Sequence, residues 1–381
     1  MKFEIREFTV DKKEWLTVQN NVLSYLESNK REGQKIDQKL ILTSASNAYM
    51  DSVKQKLMEE MNLKDADKIA FLPVPQDVKF TIEDFSFKLK VFYEDNLEKY
   101  NLDIKPEPFK LLSNDYNAKI DEFYNLFISG YKFKLNVDRD VVETNDNVII
   151  ETKPADMQEA KFEKYQIIAN PESEHQFEKQ LIGAKLGEVV TVNYAGRDFL
   201  VKPIQIVEIK EMPITTENVH LLNIDQIKNM DDVRKYVEKT ILEQIVNDSV
   251  FAYGENILGQ LLKEFNQLLE IENELIENDM KEFRFKEDFA GDKREVVKST
   301  IMNYFWTMLF NKKLGIKIEY SEMEEERQKL FTIFGEKANQ FGVQAISNIV
   351  LLKKLGTYYL SKNEPAVFEE NKEYLQKYLS K

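Results

Sequence analysis

Apolar and polar positions follow two different periods along the first hundred residues. Phe3 and Ile5 alternate with charged residues, and Phe8 and Val10 then shift phase, which predicts a strand over 2–9 with an irregularity in it. From Asp11 the period lengthens. Trp15, Val18, Val22, Tyr25 and Leu26 share one helical stripe, and Asp11 with Glu14 three residues on has the form of a capping box, so a helix is expected over 11–28. A second stripe through Ala48, Val53, Leu57 and Met61 predicts a helix over 43–61. Residues 68–75 and 79–93 read as strands, the latter with Phe85, Phe87, Leu89, Val91 and Tyr93 on one face. Pro106 and Pro108 close this segment, because proline rings continue neither element.

A helix is expected next over 114–129, through Tyr116, Ile120, Phe123 and Phe127, followed by a return strand before residue 146. Short β segments follow at 148–151, 165–169, 188–194 and 199–209, with one short helix near 174–182 and turns at Gly183 and Gly187. Beyond about 216 the spacing is helical throughout, as in Val233, Val237, Ile241 and Ile245, with two late helices over 320–340 and 343–362. The expected fold class is α+β multidomain. It comprises an α+β domain over 1–112, a linker helix and return strand over 113–145, a small β domain over 146–213 and an all-α domain over 214–381.

Composition narrows the chemistry. The chain of 381 residues has no cysteine and two histidines, His175 and His220, so thiol chemistry is excluded, and neither a metal site nor a cofactor is expected. The opening residues lack the apolar run of a secretory signal, and no stretch approaches the roughly 20 apolar residues of a membrane span, so a cytoplasmic protein away from membranes is expected. A net charge of -14 argues against DNA binding. Only -2 of it lies in residues 1–112, where Lys30, Arg31, Lys35 and Lys39 outnumber Glu32 and Asp37. That basic tip could meet ribosomal RNA or an acidic partner, though charge alone favours a solvated loop. No phosphate-cradling glycine loop of the P-loop type occurs, so no nucleotide cycle is expected.

The order of motifs resembles trigger factor, the bacterial ribosome-associated chaperone family. The run from Phe177 through Gly183, Lys185 and Gly187 to Glu188 is similar to that family's middle domain, and it is followed by the strand 204–211, Pro213 and a helix beginning near Asp231 to Arg234. Upstream, Val137 to Arg139 and Asp146 to Ile150 are similar to the entry into its FKBP-type isomerase domain. Trp306 to Ile318, followed by Glu324 to Glu326, is similar to its helical arms. The resemblance is colinear over nearly the whole chain. It implies a ribosome-binding-like N-terminal domain, an FKBP-like β domain and an all-α arm domain, and a protein that holds nascent or unfolded polypeptides near the exit tunnel of the large ribosomal subunit.

Two departures qualify what is carried over. The family's docking signature aligns with Asn29 to Ile36: Arg31 and Gly33 match, the phenylalanine and proline do not, and the lysine falls one place late at Lys35. The resemblance therefore implies ribosome contact through Lys30, Arg31, Gly33 and Lys35, in a divergent form. The floor of the family's isomerase pocket aligns with Glu174, His175, Gln176 and Phe177. Such a pocket lowers a rotational barrier of roughly 18–20 kcal/mol by holding the peptide among dry aromatic groups. A charged Glu174 there costs desolvation or turns the loop outward. The segment 193–203 is also shorter than the family's flap, which makes Tyr194 and Phe199 core candidates and the isomerase degenerate.

A holding chaperone needs dispersed apolar surface in a charged setting, and Met and aromatic side chains adapt to varied partners. Met302, Phe305, Met308, Phe331, Phe334, Phe341 and Tyr358 are the client-contact candidates as an ensemble, although each taken singly reads first as ordinary helix-packing core. The leading expectation is an ATP-independent chaperone. The alternatives are an active peptidyl-prolyl isomerase and a ribosome-independent interaction protein.

Overall fold

The computed structural model describes residues 1–30, 35–64, 67–112, 116–157, 159–283 and 289–379. It is a mixed α+β fold with two antiparallel sheets and many helices. In chain order the elements are β1 (Lys2–Val10), α1 (Lys12–Ser28), α2 (Gln38–Lys64), β2 (Ile69–Ala70), β3 (Val74–Phe80) and β4 (Phe85–Glu94). After them come α3 (Tyr116–Ser129), β5 (Tyr131–Asn136), β6 (Asn147–Pro154), β7 (Glu163–Ile168), α4 (Gln176–Gln180), β8 (Val190–Tyr194) and β9 (Arg197–Met212). The rest is helical: α5 (Met230–Phe265), α6 (Asn273–Glu282), α7 (Lys293–Leu314), α8 (Tyr320–Phe334), α9 (Val343–Asn363), α10 (Pro365–Glu370) and α11 (Lys372–Leu375). The chain forms two compact units, one of Met1–Lys110 with Val246–Lys381 and one of Leu111–Ile245. The N-terminal segment and most of the helical segment thus share a unit, a grouping that local periodicity cannot announce.

In the first unit β4 lies between β1 on one side and β2 and β3 on the other. Its alternation puts Phe85, Phe87, Leu89 and Val91 on the face that packs with Trp15 and with Met50, Leu57 and Met61 of α2. Trp15 is fully buried, 4.6 Å from the Phe85 ring, and its indole N–H donates to the Thr81 carbonyl at 3.0 Å. The Asp11 carboxylate caps α1 by accepting from the Lys13 and Glu14 amides. Glu14 accepts instead from the Tyr49 hydroxyl at 3.2 Å, tying α1 to α2.

Three strand expectations change. The expected strand over 79–93 is interrupted at Thr81 to Asp84, where the Thr81 hydroxyl accepts from the Glu83 and Asp84 amides and the Thr81 amide donates to the Asp84 carbonyl. This hairpin contains no glycine or proline, so composition does not announce it. The expected strand over 68–75 is likewise split between β2 and β3. In β1 the phase shift is no irregularity, because its register with β4 is unbroken from Lys2 to Val10. Phe8 and Val10 face the helices, while Phe3 and Ile5 occupy the other face.

The helices of this unit pack on that sheet segment through specific groups. The Tyr304 hydroxyl donates to the Ala70 carbonyl at 3.1 Å and accepts from the Asn62 amide at 2.9 Å. Lys312 donates to the Asn62 carbonyl at 2.8 Å and Lys313 to the Tyr100 carbonyl at 3.1 Å. The Tyr359 hydroxyl donates to the Leu102 carbonyl. Phe71 stacks on Phe305 at 6.2 Å, and Tyr100 lies 5.0 Å from the same ring. Helices α5 and α9 meet backbone to backbone. A Cβ on Gly254 would fall on the Leu352 carbonyl, and one on Gly356 on the Val250 carbonyl.

In the second unit β9 is the spine, pairing with β5, β6 and β8, and β7 lies outside β6. Val148, Ile150, Val192, Val201 and Ile206 fill the centre with Leu181. Phe133 anchors a smaller cluster with Ile214, Val219 and Val233, and Ile120 of α3 packs on Val237, Ile241 and Ile245 of α5.

The close approach at Gly254 and Gly356 predicts that Gly254→Ala or Gly356→Ala lowers stability by about 1–3 kcal/mol through forced separation of the helices. Gly259→Ala, on the exposed side of α5 with open space around it, raises stability by about 1 kcal/mol from helix propensity alone. Urea denaturation of the three variants checks this, and the same sign for all three would contradict it.

Candidate functional site

The sequence of α8 divides it into two faces. On the packed face Leu330 joins Ala338 and Ile346 in a small core, with Met323 and Ile349 beside it. Glu326 is buried on this side and takes two hydrogen bonds from Lys353 of α9, at 2.7 and 2.8 Å, while Lys354 pairs with Glu322 at 2.6 Å. Both lysines are buried, so breaking either pair would strand a charge away from water. At the start of the helix the Glu322 carboxylate accepts from the Glu319 amide at 2.8 Å, a capping contact.

On the other face the helix ends in exposed phenylalanine. Phe331 and Phe334, one turn apart, keep 46% and 47% of their surface in water. Gly335, with a positive φ of 58°, ends α8, and the short 3-10 turn Gly335–Gln340 returns the chain to Phe341, 36% exposed. The Phe334 and Phe341 rings lie 5.8 Å apart, and Val343 at the start of α9 is exposed beside them in sequence. Exposed apolar groups therefore flank the turn between α8 and α9, with Phe334 and Phe341 in ring contact. Completing the burial of each ring would contribute only about 1 kcal/mol, since more than half of its surface is already covered. Phe283 and Phe289, near the ends of α6 and α7, are also exposed.

Other expected contact residues are placed differently. Met302 and Phe305 are core residues of α7, 8% and 0% exposed, because that face of the helix packs against Phe71 and Tyr100. A client could reach them only if these elements parted. Met308 and Tyr358 are half-buried. Val343, Phe283, Phe289, Phe3 and Ile5 are exposed apolar groups that sequence reasoning missed, since an apolar residue at helical or strand spacing reads first as core. Lys30, just past the Asn29 cap of α1, and Lys35 are exposed, and Arg31 and Gly33 lie outside the described residues.

In the second unit the structure brings Phe177, Tyr194 and Phe199 together, with the Phe177 ring 5.5 Å from each of the other two. Phe177 and Phe199 pack against the domain core, and Tyr194 is more exposed. Arg197 lies 5.9 Å over Phe199, and its guanidinium grips Asp156 at 2.8 and 3.1 Å. Glu174 and His175 are exposed on the loop leading into α4. Strands β8 and β9 are joined by Ala195 and Gly196 alone, both at positive φ (52° and 82°), a two-residue turn of the type that closes tight hairpins. Chemically the trio offers three ring faces and the hydroxyl of Tyr194.

No family model matches the chain, and no curated protein matches it. Among solved structures it is similar to a trigger factor chaperone described for promiscuous substrate recognition in folding and assembly, at 12% identity over 95% of this chain and 97% of that one, with a TM-score of 0.26. Among the described residues, no helix is long and apolar enough to cross a membrane.

Phe177 and Phe199 are engaged in packing against the domain core, and Glu174 is exposed to solvent. The expected result in a proline-peptide isomerisation assay is the uncatalysed rate, unchanged by Phe177→Ala. Acceleration that Phe177→Ala abolishes would restore the isomerase alternative.

Proposed function

We propose that this protein is an ATP-independent holding chaperone of the trigger-factor type, which keeps unfolded or nascent polypeptides from aggregating through its exposed apolar side chains. The observation that carries the reading is the exposure of Phe331, Phe334 and Phe341 about the turn between α8 and α9, beside the small core of Leu330, Ala338 and Ile346. Dispersed aromatic groups within a chain of net charge -14 bind apolar segments weakly while the surrounding charge keeps the complex soluble. The colinear motifs from Val137 to Glu326 support the same reading. In this proposal the protein works in the cytoplasm, and its basic segment, Lys30, Arg31, Gly33 and Lys35, touches the large ribosomal subunit near the exit tunnel.

Equimolar protein is expected to suppress light scattering by a chemically denatured client with no nucleotide present. Replacing Phe331, Phe334 and Phe341 together by serine weakens client affinity by about tenfold or more with the fold intact. Unchanged scattering with the wild-type chain would sink the proposal. For the ribosome contact, co-sedimentation with ribosomes is expected to fall in an Arg31→Ala, Lys35→Ala double variant. A wild-type chain that never sediments would favour the ribosome-independent alternative.

A further inference from the structure

The two edges of the first unit's sheet are built in opposite ways. The β3 edge is closed to further pairing: it carries Pro75, its register with β4 slips between Gln76 and Lys79, and Asp77 sits at a φ of 50°. Proline removes a backbone donor and a bulge twists the strand away, two of the devices by which sheets prevent edge-to-edge association. The β1 edge has neither. All nine of its residues pair in unbroken register with β4, from Lys2 opposite Tyr93 to Val10 opposite Phe85, and none is proline. It is the terminal strand of its sheet.

The charged groups of this strand, Lys2, Glu4, Arg6 and Glu7, are all paired within their own unit, with both signs present and no run of like charge. Lys2 pairs with Asp95 at 2.7 Å, Arg6 with Glu4 at 2.7 Å, and Glu7 with Lys88 at 3.0 Å. Between them Phe3 and Ile5 stand on one face of the strand, 53% and 49% exposed. Phe3 packs edge-on against Phe92 at 6.0 Å, and the Lys90 ammonium lies 4.3 Å over its ring, so the exposed ring is held in place.

We infer that the β1 edge takes an extended segment of an unfolded polypeptide as an added strand. The occupant is set by the edge itself. A row of outward backbone N–H and C=O groups spaced for a β ladder is matched only by another extended backbone, and Phe3 and Ile5 favour a segment with apolar residues at alternate positions on that face. The main chain supplies affinity that is blind to sequence, and the alternating side chains select for segments prone to aggregate. This deepens the holding function proposed above and rests on it, adding a backbone-directed grip to the aromatic contacts at the tip of α8 and α9.

The test uses the full chain and, as probe, a ten-residue peptide of alternating valine and threonine, with a counterpart in which every backbone nitrogen is methylated. Saturation with the first peptide is expected to slow exchange of the outward amides of residues 2–10 about tenfold or more, with no change in β3. The methylated peptide, with identical side chains and no backbone donors, is expected to bind about tenfold or more weaker and to leave β1 exchange unchanged. Three results overturn the inference. These are equal affinity for both peptides, binding without protection of β1, and protection of β1 on concentrating the protein alone, which would make a second copy the occupant. Suppression of aggregation with β1 exchange unchanged removes this inference and leaves the holding function standing, whereas no suppression at all removes both.

Discussion

The contact on which the first unit most depends is the crossing of α5 and α9 at Gly254 and Gly356, where each glycine faces a backbone carbonyl of the other helix. Helices with ordinary side chains keep their axes 8–10 Å apart, and only the absence of a Cβ on both partners permits a closer approach. A close crossing fixes what surrounds it. Val350, Leu351 and Leu355 of α9 are buried, as are Val250 and Ile257 of α5, and α7 brings Phe305, Trp306, Leu309 and Phe310 into the same core. From α7 the constraint passes to the N-terminal segment through Tyr304 on Asn62 and Ala70, and through Phe305 on Phe71. A sheet from the start of the chain is thereby held on helices from its end.

The same rigidity explains how apolar groups can stay in water without the unit closing over them. The α8 and α9 hairpin is pinned from beneath by Glu326 with Lys353 and by Glu322 with Lys354. A buried ion pair contributes little net stability, but separating its members is expensive, so it resists a rotation that would bury Phe331 and Phe334. Exposed aromatic rings on a fixed support present the same surface to every partner. That property suits the capture of chains with no fixed shape of their own.

How much of this was legible in the sequence depends on the range of the interaction. Local signals were read well: Asp11 as a cap, the stripe through Trp15 and Val22, the alternation from Phe85 to Tyr93 and the late helix over 343–362 correspond to α1, β4 and α9. The turn at Thr81 to Asp84 was missed because a threonine hydroxyl makes it, with no glycine or proline to mark it. Of the client-contact candidates, Phe331, Phe334 and Phe341 proved exposed and Met302 and Phe305 proved buried. No periodicity separates the two groups, because a helix stripe shows which side is apolar and not whether another element covers it. The phase shift in β1 was visible, but its cause, apolar residues serving one face in its first half and the other in its second, required the register with β4.

The central claim is that unfolded chains are held at the tip of α8 and α9. The most direct measurement places a photo-crosslinking amino acid at Phe334, and in a control at Tyr320, which is more exposed and sits at the opposite end of the same helix. With a denatured client and no nucleotide, the account predicts strong crosslinking from position 334 and little from position 320. Equal yields at the two positions, or none at 334, would contradict it.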